Sequence, residues 1–275
     1  MGTERSAALR GGDELRPRVG LALSAGAARG IAHLGVLQVF KEHNVPIDVI
    51  AGTSAGAVVA SLYAAGCDLY TLERFIQELN WNKLVNITLP RRGLVSSEPL
   101  YQLLRLFTRD QDFADLAIPT AVVATDIRTG EEVVIKTGKV ADAARASLSI
   151  PGIFVPVELG ERLLVDGALV NRVPAGVCRE LGADVVIAVD VGFPPVGGRT
   201  KNLADIIMRT IEILDRQSAK FRPVEADIII RPELRNITST QLNRAAEIIA
   251  AGRSAGEAHL DEIKAAVYGA GLQAK

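Results

Sequence analysis

The stretch running from Val45 to Ala65 limits the fold more than any other part of the chain. An apolar run, Val45-Pro46-Ile47-Asp48-Val49-Ile50, leads into Ala51-Gly52-Thr53-Ser54-Ala55-Gly56. A run of small and apolar residues, Ala57-Val58-Val59-Ala60-Ser61-Leu62-Tyr63-Ala64-Ala65, leads out. Gly52 to Gly56 reads G-x-S-x-G between a strand pattern and a helix pattern, the context of a nucleophile elbow. So sharp a strand-to-helix turn crowds the backbone, and the residues around Ser54 must be small. Gly52, Thr53, Ala55 and Gly56 are. The turn lifts the hydroxyl clear of the sheet, near a helix N-terminus whose partial positive charge favours an anion. A Gly/Ser-rich turn with no chemistry has the same local sequence, so other parts of the chain must decide.

One β-α unit earlier, Val19-Gly20-Leu21-Ala22-Leu23 reads as a strand and Ile31 to Phe40 as a helix. The loop between them, Ser24-Ala25-Gly26-Ala27-Ala28-Arg29-Gly30, is built of small residues. Its backbone N–H groups can converge on one point and hold an anion. It lacks G-x-x-x-x-G-K-[ST] and G-x-G-x-x-G, which argues against a nucleotide phosphate. A tight βα turn is the plain alternative, and an oxyanion hole serving Ser54 the functional one. Turns from consecutive β-α units lie side by side at the carboxyl edge of a parallel sheet.

A chain of 275 residues suits one large α/β domain with a sizeable core. The net charge of −1 implies no general attraction to nucleic acid. Cys67 and Cys178 lack metal spacing and are expected as reduced thiols, which points to the cytoplasm. No apolar stretch reaches transmembrane length, and no cofactor or metal is implied. Residues 1–18 are polar and read as a disordered leader; Gly2 and Ser6 match a myristoylation pattern by chance.

Further along, Leu69 to Leu79 reads as a helix. The segment 81–94 is irregular, with Arg91 and Arg92; Glu98 to Phe107 carries Leu100, Leu103, Leu104 and Phe107 on one face. That helix is expected to face the core, with a flap over the site as the alternative. Thr120 to Thr125 and Glu132 to Lys136 form a hairpin, Val140 to Leu148 a helix, and Leu163 to Val165 a strand ending at Asp166-Gly167. A helix from Pro174 to Leu181 precedes an apolar parallel strand, Asp184 to Asp190. The C-terminal part, 191–275, is mostly helical. Its helix from Leu203 to Phe221 carries a stripe of Leu203, Ile206, Ile207, Thr210, Ile211 and Leu214, expected as core, with lipid contact or dimerisation as alternatives. Thr238 to Tyr268 is helical, with a break allowed by Gly252 and Gly256.

A serine hydroxyl needs a base. His33 reads as a packing or capping residue, and His43 sits at a helix end. Ser54, Asp166 and His259 follow the chain order of α/β-hydrolase triads. A carboxylate acting directly on Ser54 is the other option. Asp126, Asp166 and Asp190 all stand at strand ends, where aspartate also forms turns. Asp166 differs in its small neighbours Gly167 and Ala168, and would need burial to raise its pKa.

Together these segments resemble the patatin-like phospholipases. The family's pattern is a Gly-rich oxyanion loop, then G-x-S-x-G, then D-G-G or D-G-A. Ser24 to Gly30, Gly52 to Gly56 and Asp166-Gly167-Ala168 match it in order. Ala146-Ser147-Leu148-Ser149-Ile150-Pro151-Gly152-Ile153-Phe154-Val155-Pro156 and Asn171-Arg172-Val173-Pro174 add to the likeness, which spans about Val19 to Val191. The resemblance implies a three-layer α/β/α fold with a central, mostly parallel sheet, and one domain over 19–275. It implies a Ser54–Asp166 dyad that hydrolyses fatty-acyl esters of lipids through an acyl-enzyme, with Gly26, Ala27 and Ala28 N–H groups holding the oxyanion. Arg29 and Gly30 match the family's positions after the loop. Alanine stands at 25 and 27 where glycine is usual. A lipid-binding adaptor and an acyltransferase are the competing functions, and transient membrane contact and an oligomer are allowed.

Overall fold

A computed structural model describes residues 16–79, 86–87, 95–193 and 203–269. Of the irregular segment 81–94, all but residues 86–87 lies outside these, Arg91 and Arg92 included, as do residues 1–15. From Arg16 onward the chain is anchored: the Arg16 guanidinium pairs with Asp48, and the Arg18 N–H donates to Asp184.

The first half alternates strand and helix: β1 (Val19–Leu23), α1 (Ala32–Glu42), β2 (Val49–Thr53), α2 (Ala55–Ala64) and α3 (Leu69–Glu78). Two short strands, β3 (Asn86–Ile87) and β4 (Val95–Ser96), pair with each other and precede α4 (Glu98–Phe107). Then come the hairpin β5 (Thr120–Asp126) and β6 (Glu132–Ile135), α5 (Val140–Ser147), β7 (Val157–Leu159) and β8 (Arg162–Asp166). The chain continues with α6 (Ala175–Glu180), β9 (Val185–Val189), α7 (Leu203–Ser218), β10 (Ile228–Ile230), α8 (Ala245–Ala258) and α9 (Leu260–Tyr268).

Strands β10, β9, β1, β2 and β5 lie side by side in that order, all parallel. β6 and β8 run antiparallel to β5, and β7 runs antiparallel to β8. Helices cover both faces. Leu21, Leu23, Ile50, Ile187 and Val189 alternate onto the face under α1, α3 and α8. The other face presents Ala22, Ala51, Ala121 and Ala188, and the short α6 packs on it through Val177 and Cys178. Small side chains on that face let a helix of six residues lie close to the sheet.

Helices α1 and α8 cross at close range. An added Cβ at Gly35 would strike the Ile249 carbonyl, and one at Gly252 the Ala32 carbonyl. Gly252 is therefore a contact glycine within unbroken helix. The break in the C-terminal helical region falls at His259, between α8 and α9. The second departure is α7. Leu203, Ile206 and Leu214 of its apolar stripe are exposed, not buried in a core.

Candidate active site

β5 acts as a ruler for the site. Val123 pairs with both Val134 of β6 and Thr53 of β2, while Ala124 pairs with both Val133 of β6 and Asp166 of β8. β6 occupies one edge of β5, so β2 and β8 share the other. β2 runs forward and β8 backward along it, and their C-terminal ends meet at consecutive positions of β5. That register sets Ser54, the residue after β2, against Asp166, the last residue of β8. Ser54 Oγ donates to Asp166 Oδ2 at 2.6 Å.

The turn at Ser54 is strained. Its φ of 55° and ψ of −120° lie outside the favoured regions for a residue with a Cβ. Two glycines admit it: an added Cβ at Gly52 would strike the Gly56 carbonyl, and one at Gly56 the Leu23 carbonyl. Ser147 at the end of α5 holds the turn. Its Oγ accepts from the Ser54 N–H at 2.7 Å and donates to the Val123 carbonyl at 2.6 Å. Thr53 Oγ1 donates to the Asn171 carbonyl, and Thr125 Oγ1 to the Asp166 carbonyl. Asn171 thus ties the elbow to the chain after Asp166-Gly167-Ala168. Ser147 went unassigned in the sequence, although it lies in a stretch similar to the family.

Asp166 is buried, and desolvation pushes its carboxyl up to about 6, against the opposing hydrogen bonds from Ser54 Oγ and the Ala168 N–H. A carboxylate of that strength can accept a proton near neutral pH.

The loop after β1 lies beside the elbow, since Leu23 pairs with Gly52. Its three expected donors are reduced to two: the Ala28 N–H donates to the Ser239 carbonyl at 3.1 Å. Among the described residues the Gly26 and Ala27 N–H groups have no protein acceptor, and both residues line a pocket with Ser54 and Asp166. Ala27 takes a φ of 47°, which costs an alanine about 1 kcal/mol yet leaves its N–H in place. Gly30 packs against Ala55, where an added Cβ would collide.

Arg29 does not face the pocket. It is buried, and its guanidinium donates to the carbonyls of Val191, Leu234 and Ile237. Burial lowers its pKa to about 10, so it stays charged at neutral pH. It clamps the C-terminal part of the chain onto the loop.

The histidines stand apart from this arrangement. His33 Nε2 meets the Ser24 carbonyl at 2.8 Å, and burial lowers its pKa to about 4. His259 Nδ1 is bound to the Ala255 carbonyl one helical turn back. Asp126 and Asp190 cap turns through the N–H groups of Arg128 and Gly192, and Asp190 also pairs with Arg172 at 2.7 Å. Among the described residues no group of His, Cys, Asp or Glu could hold a metal ion.

An apolar cavity of about 430 Å³ reaches Ser54 between α2, α3, α4 and α7. Phe75, Leu100, Leu104 and Phe107 are among its walls. α4 therefore serves both the core, through Leu104, and the cavity. Helix α7 roofs the pocket over Ser54 and Asp166 with Met208, Ile211 and Asp215. A second cavity of about 720 Å³, of mixed polarity and also touching Ala168, is lined by Arg172, Asp190, Asp215 and Arg222 among others.

The family model described as patatin-like phospholipase matches residues 21–179, more than half of the chain. The chain belongs to the patatin-like phospholipase family. An uncharacterized NTE family protein of Mycobacterium bovis is 35% identical over 200 residues, covering 70% of this chain and 54% of that protein. A patatin-like phospholipase domain-containing protein of Caenorhabditis elegans is 36% identical over 182 residues, covering 63% of this chain and 14% of that protein. The patatin-like chain thus spans about half, or less, of the length of these relatives. Among solved structures, VipD from Legionella pneumophila gives a TM-score of 0.58 at 14% identity, over 90% of this chain and 67% of that one. ExoU of Pseudomonas aeruginosa, in complex with SpcU, gives 0.52 at 18% identity, over 91% and 52%. These two likenesses show a shared patatin-like fold.

Proposed function

We propose that this protein is a serine hydrolase of fatty-acyl esters of lipids, working through a Ser54–Asp166 dyad. The 2.6 Å hydrogen bond between Ser54 Oγ and Asp166 Oδ2 carries the reading. Ser54 Oγ attacks the ester carbonyl while Asp166 takes its proton. The carbonyl oxygen becomes an oxyanion held by the Gly26 and Ala27 N–H groups. As the tetrahedral intermediate collapses, the C–O bond to the alcohol breaks and Asp166 returns the proton to that oxygen. A water then gives its proton to Asp166 and attacks the acyl-enzyme carbonyl; the bond to Ser54 Oγ breaks, Asp166 returns the proton to Oγ, and the fatty acid leaves. The apolar cavity suits the acyl chain, because its walls are hydrocarbon over most of their extent. The free thiols Cys67 and Cys178 suit a reducing compartment such as the cytoplasm.

Fluorophosphonate labelling and p-nitrophenyl ester hydrolysis test the reading. Both are expected in the wild type and absent from Ser54→Ala. Undiminished turnover in that variant refutes it. Protein capture without any labelling or hydrolysis would instead support the adaptor alternative.

A further inference from the structure

Helix α7 has two faces of opposite use. Met208, Ile211 and Asp215 point down over Ser54 and Asp166. The opposite face carries Leu203, Ile206, Ile213 and Leu214, and Phe221 continues it just past the helix end. These five side chains are 52–84% exposed, and they make up half of the exposed large apolar side chains among the described residues. Separations such as three, seven, eight and eleven put them on one side of a helix. An apolar face of this kind on a water-soluble surface marks a docking site.

The charges of the helix identify the occupant. Its acidic residues face inward: Asp205 lines the apolar cavity, and Glu212 and Asp215 line the pocket over the dyad. On one flank of the exposed apolar face stand Arg209, which pairs with Glu212, and the exposed Lys220 just beyond the helix, while Arg216 turns inward to stack on Phe193. An apolar stripe flanked by Arg209 and Lys220 complements a lipid surface bearing negative charge.

We propose that the outward face of α7 docks the protein on an anionic lipid surface, with the dyad directly beneath the helix. The position of the dyad gives this docking its purpose, so that part of the inference rests on the hydrolase reading. Docked this way, the apolar cavity, which Asp205 and Met208 of α7 help to line, lies near the lipid phase that supplies the acyl chain. The substrate then enters without its chain crossing water.

Vesicle co-sedimentation with the full chain tests the proposal, in a Ser54→Ala background so that the lipid survives. Vesicles of phosphatidylcholine with phosphatidylglycerol are expected to bind the protein, less so as salt is raised. Combined Ile206→Ser, Ile213→Ser and Phe221→Ser changes should weaken partitioning by about tenfold or more, since binding scales with buried apolar area. These positions are exposed, so the fold should tolerate them. With Ser54 intact, the same triple variant should hydrolyse soluble p-nitrophenyl butyrate as the wild type does. Lys220→Glu should weaken binding to the mixed vesicles and leave pure phosphatidylcholine binding unchanged. Absence of sedimentation overturns the proposal. So does a triple variant that binds like its parent, or one that only loses a dimer. Vesicle binding without butyrate turnover in the wild type would refute the hydrolase and leave the docking face standing. Turnover without vesicle binding would do the reverse.

Discussion

Ser147→Ala probes how the elbow is held. The Ser147 hydroxyl is fully buried and bridges the Ser54 N–H to the Val123 carbonyl. Removing it leaves the buried Ser54 N–H without an acceptor. An orphaned buried donor costs about 2 kcal/mol, and the carbonyl, which has a second lone pair, about 1 kcal/mol more. The cost has two outlets. If the elbow keeps its φ of 55°, the whole of about 3 kcal/mol appears as lost stability, lowering Tm by roughly 6–12 °C for a domain of this size. If the elbow relaxes toward a favoured backbone conformation, part of that loss is recovered, because the strain itself is worth about 1–3 kcal/mol. Ser54 Oγ then leaves Asp166, and the fluorophosphonate labelling rate should fall by about ten- to a hundredfold, at 1.4 kcal/mol per decade. Thermal unfolding and labelling rate must therefore be measured on the same variant. A Tm within about 1 °C of wild type, together with an unchanged labelling rate, would refute this account of the elbow.

Three further outcomes follow from the same geometry. A base with a pKa of about 6 loses its proton-accepting form as pH falls, so kcat/KM should decline below about pH 6, and Asp166→Asn should cost about 10²–10⁴ in rate. The stability effect has the opposite sense: the native carboxyl holds its proton more tightly than the unfolded one. Stability therefore drops as pH rises from about 4 to 6, by on the order of 3 kcal/mol, and Asp166→Asn should melt higher at pH 7 despite its lost rate. Arg29→Lys cannot span three carbonyls with one ammonium and should lose roughly 2–4 kcal/mol in denaturant titrations, with a slower labelling rate as the loop loosens. His259→Ala should leave kcat/KM within about twofold of wild type, because its Nδ1 is occupied by the Ala255 carbonyl; a loss as large as that of Asp166→Asn would restore the triad.

The alternating strands and helices were legible in the sequence, because hydrophobic period and breaker residues are local quantities. The G-x-S-x-G elbow was legible for the same reason: only small residues fit a turn in which one backbone passes against another. The two small-residue loops were adjacent in sequence order, so their side-by-side position at the sheet edge followed from parallel β-α topology. Which of Asp166 and His259 stands beside Ser54 was not local. It turned on β2 and β8 sharing one edge of β5, a register that spans more than a hundred residues of chain.

Other roles also depended on distant partners. Ser147 gained its place from the contact of α5 with the elbow. Arg29, which stood beside the oxyanion loop in sequence, was drawn away from it by carbonyls of the C-terminal part. Gly252 allowed a break in the sequence pattern until α1 lay across it, and the stripe on α7 read as core until the helix was placed over the pocket. A sequence pattern records that a face is apolar. Only packing against the rest of the chain decides whether protein or solvent meets that face, because burial depends on segments that no local window contains.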